Sequence, residues 1–345
     1  MKRWFSFLAA AIFLLLPGCG QKESSVQFFA MDTLMSITAY GPGSEEAVPA
    51  ARDEVNRLDA LLSRTREESA VARLNAAAGS GEPVEVDGEV AALLELANTV
   101  SAASGGSFDI TIAPVMDAWG WTGDTRRVPA QDELDALLPL VNYENLLVDA
   151  GAGTAQLTQP GMSADLGGVA KGYAAARASQ VLTEAGVTSA LLDLGANITA
   201  VGNKPDGDPW RVAVKNPQDT QDYLCVLSLT DQTASTSGGY ERYFEEDGVV
   251  YHHIIDPADG WPADSGLLSV TVVSANAAQA DALSTACFVL GPEGALDLWR
   301  ADSGLDPFEL VLCRTDGTVV ITEGLEEGMT FHGEEGGYVC EIARR

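Results

Sequence analysis

Helical and strand-like segments alternate along almost the whole chain, and this alternation limits the possible folds more than any other feature. Apolar residues recur at helical spacing after Ser44, which we predict as the cap of a helix that ends near Leu62. The segment Leu267–Ser274 is instead a dense run of β-branched residues, typical of a strand. No internal repeat and no long low-complexity linker interrupts the pattern. The chain is therefore predicted to form one intertwined α+β unit rather than two separable domains.

The remaining segments extend this mixed pattern. A second helix is predicted between a capping Asp87 and the closing pair Gly105 and Gly106. Further helices are predicted at 131–138, 169–185, 279–290 and 293–301. Strands are predicted at 28–40, 189–194, 210–214, 224–229 and 249–255, and hairpins at 146–158 and 308–322.

The charge balance excludes one large class of partner. The 345 residues include 50 acidic and 20 basic side chains, which gives a formal net charge of −30 at pH 7. A surface of this sign repels phosphate, so nucleic-acid binding through a basic face is excluded. Hydrophobic residues make up 46% of the chain, enough for a sizeable core, which excludes a disordered protein.

The N-terminus has the pattern of a lipoprotein signal peptide. Lys2 and Arg3 precede an apolar run over residues 4–16, shorter than the about 20 residues that a membrane-spanning helix needs. The run ends in Leu-Pro-Gly-Cys, which resembles a bacterial lipobox, with Cys19 as the residue that is lipidated and becomes the mature N-terminus. A plain signal peptide with an accidental cysteine is the alternative.

This pattern predicts how the chain is divided and where it is located. Residues 1–18 would be the signal peptide, 19–27 the lipidated cysteine and a polar tether, and 28–345 the folded domain. The lipid would anchor the domain to the cell membrane on its extracytoplasmic side.

Four cysteines follow Cys19 in the sequence. They show no Cys-x-x-Cys spacing, which argues against a zinc knuckle or a thioredoxin-like site. Disulfides are possible outside the cell. We favour buried free thiols because Cys287 lies in an apolar helical segment and Cys313 in a strand-like run.

Two glycine-rich segments are candidate binding turns. Residues 105–111 read Gly-Gly-Ser-Phe-Asp-Ile-Thr, and backbone without side chains lets a flat ligand approach closely. Residues 165–173 read Asp-Leu-Gly-Gly-Val-Ala-Lys-Gly-Tyr, where free N–H groups at a helix start would attract phosphate beside Lys171. The spacing matches neither a Walker A loop nor the dinucleotide fingerprint. By itself each segment also fits an ordinary helix end or turn.

The segment 251–257, Tyr-His-His-Ile-Ile-Asp-Pro, holds two of the three histidines of the chain. In an alternating strand His253 and Ile255 share one face, and His252 lies on the other. A histidine suits proton removal from a hydroxyl group. Ordinary strand residues are the alternative, and a zinc pair is disfavoured because adjacent side chains point to opposite faces.

The segment 280–286, Ala-Asp-Ala-Leu-Ser-Thr-Ala, suggests a cation site on a helix. Asp281 and Thr285 are four residues apart, so their side chains reach the same point. A carboxylate and a hydroxyl form an all-oxygen set that fits Mg²⁺. The alternative is a helix-start aspartate with a threonine that bonds back to the backbone.

In their order and wording these segments resemble the ApbE family of flavin transferases. The likeness begins at Met31-Asp32-Thr33, includes the four segments above, and spans roughly residues 26–300. It implies an α+β fold of T-fold-related mixed sheets with flanking helices. It also implies an enzyme that transfers FMN from FAD, through a phosphoester, to a Thr or Ser of an acceptor protein and releases AMP. Mg²⁺ would be required, and the acceptors would be redox subunits of the Rnf or Na⁺-pumping quinone reductase type.

The resemblance also implies roles for individual residues. Mg²⁺ would be bound by Asp281 and Thr285, with the Gly168 carbonyl completing the set. His253 is the candidate base, and His253 and Asp281 would be the catalytic pair. The residues implied to contact FAD are Met31, Ser107, Phe108, Asp109, Asp165, Lys171, His253 and Ile254.

Two departures and three alternatives accompany this prediction. The chain reads Met-Asp-Thr where many members read Met-Gly-Thr, and Ser63-Arg64-Thr65 where some carry an aromatic residue suited to stacking. The alternative functions are a flavin-binding lipoprotein without transfer activity, an FAD pyrophosphatase that yields FMN and AMP, and a lipoprotein that binds another small solute.

Overall fold

The computed structural model of the protein describes residues 22–123 and 125–345. The predicted signal peptide and Cys19 lie outside the described residues. The α-helices are α1 Ser44–Leu62, α2 Ala70–Ala76, α3 Gly88–Ala103, α4 Ala113–Trp119, α5 Gln131–Leu137, α6 Ala170–Glu184 and α7 Ala277–Arg300. The strands are β1 Glu23–Ala30, β2 Thr33–Tyr40, β3 Val84–Glu85, β4 Leu146–Asp149, β5 Thr154–Leu157, β6 Ser189–Asp193, β7 Asn197–Gly202, β8 Trp210–Asn216, β9 Asp219–Leu229, β10 Thr233–Gly238, β11 Tyr243–Glu246, β12 Val249–His252, β13 Leu267–Ser274, β14 Phe308–Arg314, β15 Thr318–Thr322, β16 Met329–Phe331 and β17 Val339–Ala343.

A nine-stranded sheet organises the fold, in the order β1-β2-β6-β7-β10-β13-β14-β15-β17. Its neighbouring strands are antiparallel except β15 and β17, which are parallel. Helices α1, α6 and α7 pack on one face, and the small sheet β16-β9-β8 packs on the other. A third sheet, β3-β5-β4, and the ribbon β11-β12 lie outside this arrangement. The predicted α+β class is confirmed.

Strand β13 shows why the central strands are apolar on both sides. Val270 and Val272 belong to the core beneath the helices, whereas Val273 belongs to the core beneath the small sheet. Alternation between polar and apolar residues is lost because both faces of the strand are covered. The β-branched run that predicted this strand therefore reflects burial from two directions.

A third apolar cluster, centred on Trp119 and Trp121, supports the ribbon. Trp119 packs against Phe244 and Tyr251 of the ribbon, with ring centroids 6.3 and 5.4 Å away. Trp121 contacts Phe244 as well. Aromatic packing thus holds the ribbon in place, and with it His253, the residue that follows β12 in the chain.

Several boundaries differ from the predictions for local reasons. The two helices predicted at 279–290 and 293–301 form one run, α7, which is kinked at Gly291 (φ 74°). Ser44 is the first helical residue and not a cap, because Gly43 takes the capping position. The strand predicted at 249–255 ends at His252, since the chain then turns and Ile255 pairs with Pro262.

The start of the domain also differs from the prediction. Strand β1 begins at Glu23, so residues 23–27, which we assigned to the tether, form part of a strand. They are ordered by pairing with β2, where Ser25 lies opposite Thr38 and the two hydroxyls bond at 2.9 Å. Met31 and Asp32 close this hairpin with φ values of 48° and 59°.

The four cysteines of the described residues are free thiols. Cys225, Cys287 and Cys313 are buried and Cys340 is half-buried, which confirms the prediction of free thiols.

Among residues 22–123 and 125–345, no helix has the length and apolar character that a bilayer span requires.

Candidate active site

Asp281 lies at the centre of the site, on the second turn of α7, and is 4% exposed. Its Oδ2 accepts a hydrogen bond from the Gly172 N–H at 2.9 Å, and its Oδ1 accepts one from Asn197 Nδ2 at 3.1 Å. The Lys171 ammonium lies 3.7 Å from Oδ1. A buried carboxylate is costly without partners, and these three groups supply them.

Gly172 allows helices α6 and α7 to approach closely enough for the first of those bonds. A Cβ at this position would lie 2.2 Å from the Ala277 carbonyl oxygen and 2.7 Å from Asp281 Cβ. Only a residue without a side chain fits there. The glycine of the predicted binding turn is therefore a packing requirement of the helix pair that carries Asp281.

Thr285, Gly168 and Phe108 meet beside Asp281. A Cβ on Gly168 would lie 3.7 Å from Thr285 Oγ1 and only 2.9 Å from Phe108 Cε2. Ser237 Oγ lies 3.4 Å from Thr285 Oγ1, so the hydroxyl is held from the strand side. Thr285 thus lies beside Gly168, one helical turn after Asp281, and the Mg²⁺ set that the resemblance implies stays a prediction.

The start of α6 differs in one respect from the prediction. The N–H groups of Val169 and Ala170 both donate to the Leu166 carbonyl, at 3.0 and 2.8 Å, and Gly172 N–H donates to Asp281. The expectation that such groups are free for phosphate is wrong for these three. Positive charge at this end of the helix comes instead from Lys171, whose ammonium lies 3.2 Å from the Gly167 carbonyl.

Asp165 stands at the other end of the same turn. Its Oδ1 accepts the Gly167 N–H at 2.8 Å, and its Oδ2 lies 3.4 Å from Arg64 Nη1. The Arg64 guanidinium also pairs with Asp117 of α4. Arg64, half-buried, therefore joins the segment after α1 to the binding turn.

The predicted segment 105–111 is organised by Asp109, which is 6% exposed. Its Oδ1 accepts bonds from the Thr111 N–H and hydroxyl at 2.8 and 2.7 Å, and its Oδ2 accepts the Tyr143 N–H at 2.7 Å. Burial raises the pKa of this carboxyl group, and the bonds from Thr111 and Tyr143 oppose that rise. Ser107 bonds to the Ser104 carbonyl at 2.7 Å. Both side chains shape the loop that presents Phe108.

His253 follows the ribbon and is half-buried. Its Nδ1 lies 3.1 Å from the Arg242 carbonyl oxygen. Because a carbonyl only accepts, Nδ1 carries the proton and Nε2 keeps a free lone pair. Desolvation lowers the pKa of His253 to about 3; the bond to Arg242 opposes this, and the charges of Arg242, His252 and Lys171 add to it. The imidazole is therefore neutral at physiological pH.

The last two predicted contacts have clear structural positions. Ile254 is buried in the main core, and its N–H donates to His252 Nδ1 at 3.3 Å. Met31 forms the tip of the β1–β2 hairpin, and its N–H donates to Asp59 Oδ1 at 3.2 Å. Neither side chain has a described contact with the Asp281 group, so their predicted role in binding FAD remains a prediction.

Sequence reasoning missed several polar residues around Asp281. Asn197 and Ser235 lie opposite each other on β7 and β10, and both direct a polar atom to Asp281 Oδ1. Ser237 bonds to Ser284 at 2.7 Å. The polar run Thr-Ala-Ser-Thr-Ser-Gly of β10, unusual in a buried central strand, was the available signal. For Asn197 the only signal in the sequence is that it follows Gly195 by two residues.

The donor set suits a magnesium ion. One carboxylate, one hydroxyl and one carbonyl are hard oxygen donors, and Gly168 leaves open the space that a Cβ would fill between Thr285 and Phe108. The described residues contain no group of three His, Cys, Asp or Glu side chains around a common point. This is consistent with the predicted set, which holds a single carboxylate.

Known proteins match most of the chain. The family model described as the ApbE family matches residues 31–308 of the 345. The chain belongs to the ApbE family. A relative in Treponema pallidum, named FAD:protein FMN transferase, is 40% identical over 304 residues, 83% of this chain and 83% of that protein. A relative of the same name in Escherichia coli K12 is 30% identical over 315 residues, 86% of this chain and 89% of that protein.

Solved structures of ApbE proteins share the fold. The ApbE protein of Thermotoga maritima superposes with a TM-score of 0.82 and 31% identity, covering 89% of this chain and 99% of its own. The flavin transferase ApbE of Vibrio cholerae gives 0.79 and 26%, with coverage of 89% and 99%. The resemblance inferred from five short segments is confirmed, and membership of this family makes the chain a flavin-transferring enzyme.

Proposed function

We propose that the protein transfers FMN from FAD to a Thr or Ser hydroxyl of an acceptor protein in a Mg²⁺-dependent reaction that releases AMP. The observation that carries the proposal is the buried Asp281 against Gly172, with Thr285 one turn further on beside Gly168. The names of the relatives from Treponema pallidum and Escherichia coli support the same reaction.

The bond changes of this reaction define what the residues must do. The acceptor oxygen forms a bond to the phosphorus of the FMN half, and the bond from that phosphorus to the AMP oxygen breaks. The proton of the hydroxyl group passes to a base. We assign this role to His253, because its imidazole is neutral and its Nε2 carries the lone pair that Nδ1 lacks.

Asp281, Thr285 and the Gly168 carbonyl would hold the magnesium ion. The ion supplies positive charge that neutralises the phosphate oxygens and orients them for attack. Thr285 is steadied by Ser237, and Asp281 by Gly172 and Asn197, so the side-chain oxygens keep their directions as the substrate binds. The acidic character of the chain makes such local positive charge necessary, because a diphosphate would otherwise be repelled.

Binding of FAD would rest on the remaining residues of the two turns. Lys171 would pair with a phosphate oxygen as a point charge. Phe108, buried beside Gly168, would border the flavin or adenine ring. Asp165, together with Met31, Ser107, Asp109 and Ile254, would complete the contacts to the ring systems of FAD.

The location of the reaction is a further part of the proposal. Lipid on Cys19 would anchor the enzyme to the cell membrane on its extracytoplasmic side, beside acceptors of the Rnf or Na⁺-pumping quinone reductase type. The Leu-Pro-Gly-Cys sequence supports this assignment. Cells expressing the Cys19→Ala variant should lose the protein from the membrane fraction, and unchanged membrane association would contradict the lipid anchor.

The activity is tested by the mass of the acceptor. The detergent-solubilised full chain is incubated with FAD, Mg²⁺ and a protein that carries an Rnf-type acceptor segment, and the intact mass of that protein is recorded. A gain equal to one FMN phosphoester, absent with EDTA, is expected. FMN and AMP in solution without a gain in mass would indicate hydrolysis, and no consumption of FAD would indicate a binding protein; both results contradict the proposal.

A further inference from the structure

Asn197 is a fully buried amide that contacts the carboxylate at the centre of the site. Its side chain is 1% exposed, and its Nδ2 donates to Asp281 Oδ1 at 3.1 Å. Its own Oδ1 is buried and has no hydrogen-bond partner among the described residues. An unsatisfied buried oxygen is destabilising, so an amide kept at this position needs an explanation.

The backbone around Asn197 is held in a strained turn. Gly195 and Ala196 have φ values of 68° and 66°. This left-handed conformation is unfavourable for Ala196, because Ala196 carries a Cβ. A Cβ on Gly195 would lie 2.5 Å from Thr33, so the turn is closely packed as well. The Leu194 N–H donates to the Asn197 carbonyl at 2.9 Å across the turn. The backbone position of Asn197 is therefore fixed by the fold.

Besides Asn197 and the Ser235 hydroxyl, Asp281 Oδ1 has a charged neighbour that competes with the amide. The Lys171 ammonium lies 3.7 Å away, longer than a charge-assisted hydrogen bond. Without the amide, Oδ1 would move toward the Lys171 ammonium while Oδ2 stays bonded to the Gly172 N–H. Such a closed ion pair would occupy the oxygen that a metal ion needs.

We propose that Asn197 is a positioning residue, which holds the Asp281 carboxylate away from Lys171 and in the orientation that binds the divalent cation. The inference rests on the proposed function, since it assumes that Asp281 binds that cation. Groups that orient a metal-binding carboxylate change metal affinity about 10–100-fold when they are removed. A similar loss of affinity is expected here.

The test measures binding of Mn²⁺ alone, by electron paramagnetic resonance, to the detergent-solubilised full chain without FAD or acceptor. Asn197→Leu and Asn197→Ala are compared with the wild type, and circular dichroism confirms that each is folded. The matched control is Asn98→Ala. Asn98 also has an unpartnered buried Oδ1 and one Nδ2 bond, to the Leu146 carbonyl at 2.9 Å, but is not part of the site.

The proposal predicts that both Asn197 variants bind Mn²⁺ about 10-fold or more weakly while Asn98→Ala binds like the wild type. A loss of Mn²⁺ affinity by an Asn197→Leu variant that remains folded is a result that a purely structural role of Asn197 would not predict. Equal Mn²⁺ affinity of wild type and folded Asn197→Leu overturns the inference alone. Absence of Mn²⁺ binding by the wild type overturns the proposed metal site and this inference with it.

Discussion

The Gly172 N–H donates to Asp281 Oδ2 at 2.9 Å, and this bond joins the first turn of α6 to the second turn of α7. The two residues come from different sequence segments, 109 positions apart. The bond fixes one oxygen of the carboxylate while the other faces Lys171 and Asn197. The geometry of the candidate active site thus depends on how closely the two helices pack.

Asp281→Asn should abolish Mg²⁺-dependent transfer and leave the protein folded. The amide lacks the negative charge that attracts the cation, and the loss of several kcal/mol of charge stabilisation corresponds to about 10³-fold or more in rate. Asp297→Asn is the control, because Asp297 lies on the same helix with its side chain 81% exposed. Transfer is measured by acceptor mass over time; a wild-type rate for Asp281→Asn would refute the metal assignment.

His253→Ala should slow transfer about 10²–10⁴-fold, the usual contribution of a general base. FAD affinity, measured by quenching of flavin fluorescence, should change far less. His332→Ala serves as control because His332 is exposed and packs on Tyr223, in the small sheet. Equal losses of rate and affinity in His253→Ala would make His253 a binding residue instead of the base.

Transfer should not weaken as the pH falls through the usual titration range of histidine. Desolvation lowers the pKa of His253 to about 3, so the imidazole stays neutral between pH 7.5 and 5.5, within about one unit of the ordinary value of ~6.5. Initial rates at saturating Mg²⁺ and FAD are the measurement. A fall in rate with a midpoint near pH 6.5 that disappears in His253→Gln would contradict the lowered pKa, because it would show that His253 is hydrated.

The same pKa shift predicts how stability depends on pH. The unfolded histidine takes up a proton near pH 6.5, whereas the folded one does not, so the unfolded state binds more protons below that pH. The contribution of His253 to the free energy of unfolding is therefore complete above about pH 6.5 and is lost as the pH falls toward 3. Urea unfolding at pH 7 and pH 5 should show a smaller difference for His253→Gln than for the wild type. A difference of the same size would contradict the shift.

Lys171→Ala should weaken FAD binding about 10- to 100-fold, the worth of one charge-assisted hydrogen bond. The control is Lys215→Ala, on β8 in the small sheet on the far side of the main sheet. Affinity is measured by titration with FAD in the presence of Mg²⁺. An affinity equal to that of the wild type would remove Lys171 from the site.

Sequence patterns predicted the local elements well wherever burial sets the pattern. The helix around Lys171 and the strand Leu267–Ser274 were found within a residue of their observed ends, because apolar spacing records which side faces the core. The strand through His253 was predicted too long. Its end depends on the turn at Asp256, whose side chain accepts the Ala258 N–H at 2.8 Å, and alternation along the strand carries no trace of that turn.

The site was predicted in part for a similar reason. Asp281 and Thr285 follow from helical spacing, since the distance between them is local. Asn197, Ser235 and Arg64 contribute through pairings between segments distant in sequence, and a single sequence contains no record of those pairings. The glycine turn was recognised as important, but its contact with α7 at Gly172 needed the three-dimensional structure.

The central claim is that the protein transfers FMN to a protein hydroxyl and does not merely bind or hydrolyse FAD. One measurement tests it most directly: the amounts of FAD consumed, AMP released, FMN bound to acceptor and free FMN in a single time course with the detergent-solubilised full chain and Mg²⁺. The account predicts equal amounts of FAD lost, AMP formed and acceptor-bound FMN, and no AMP from Asp281→Asn. AMP accompanied by an equal amount of free FMN, with an acceptor that stays unmodified, would contradict it.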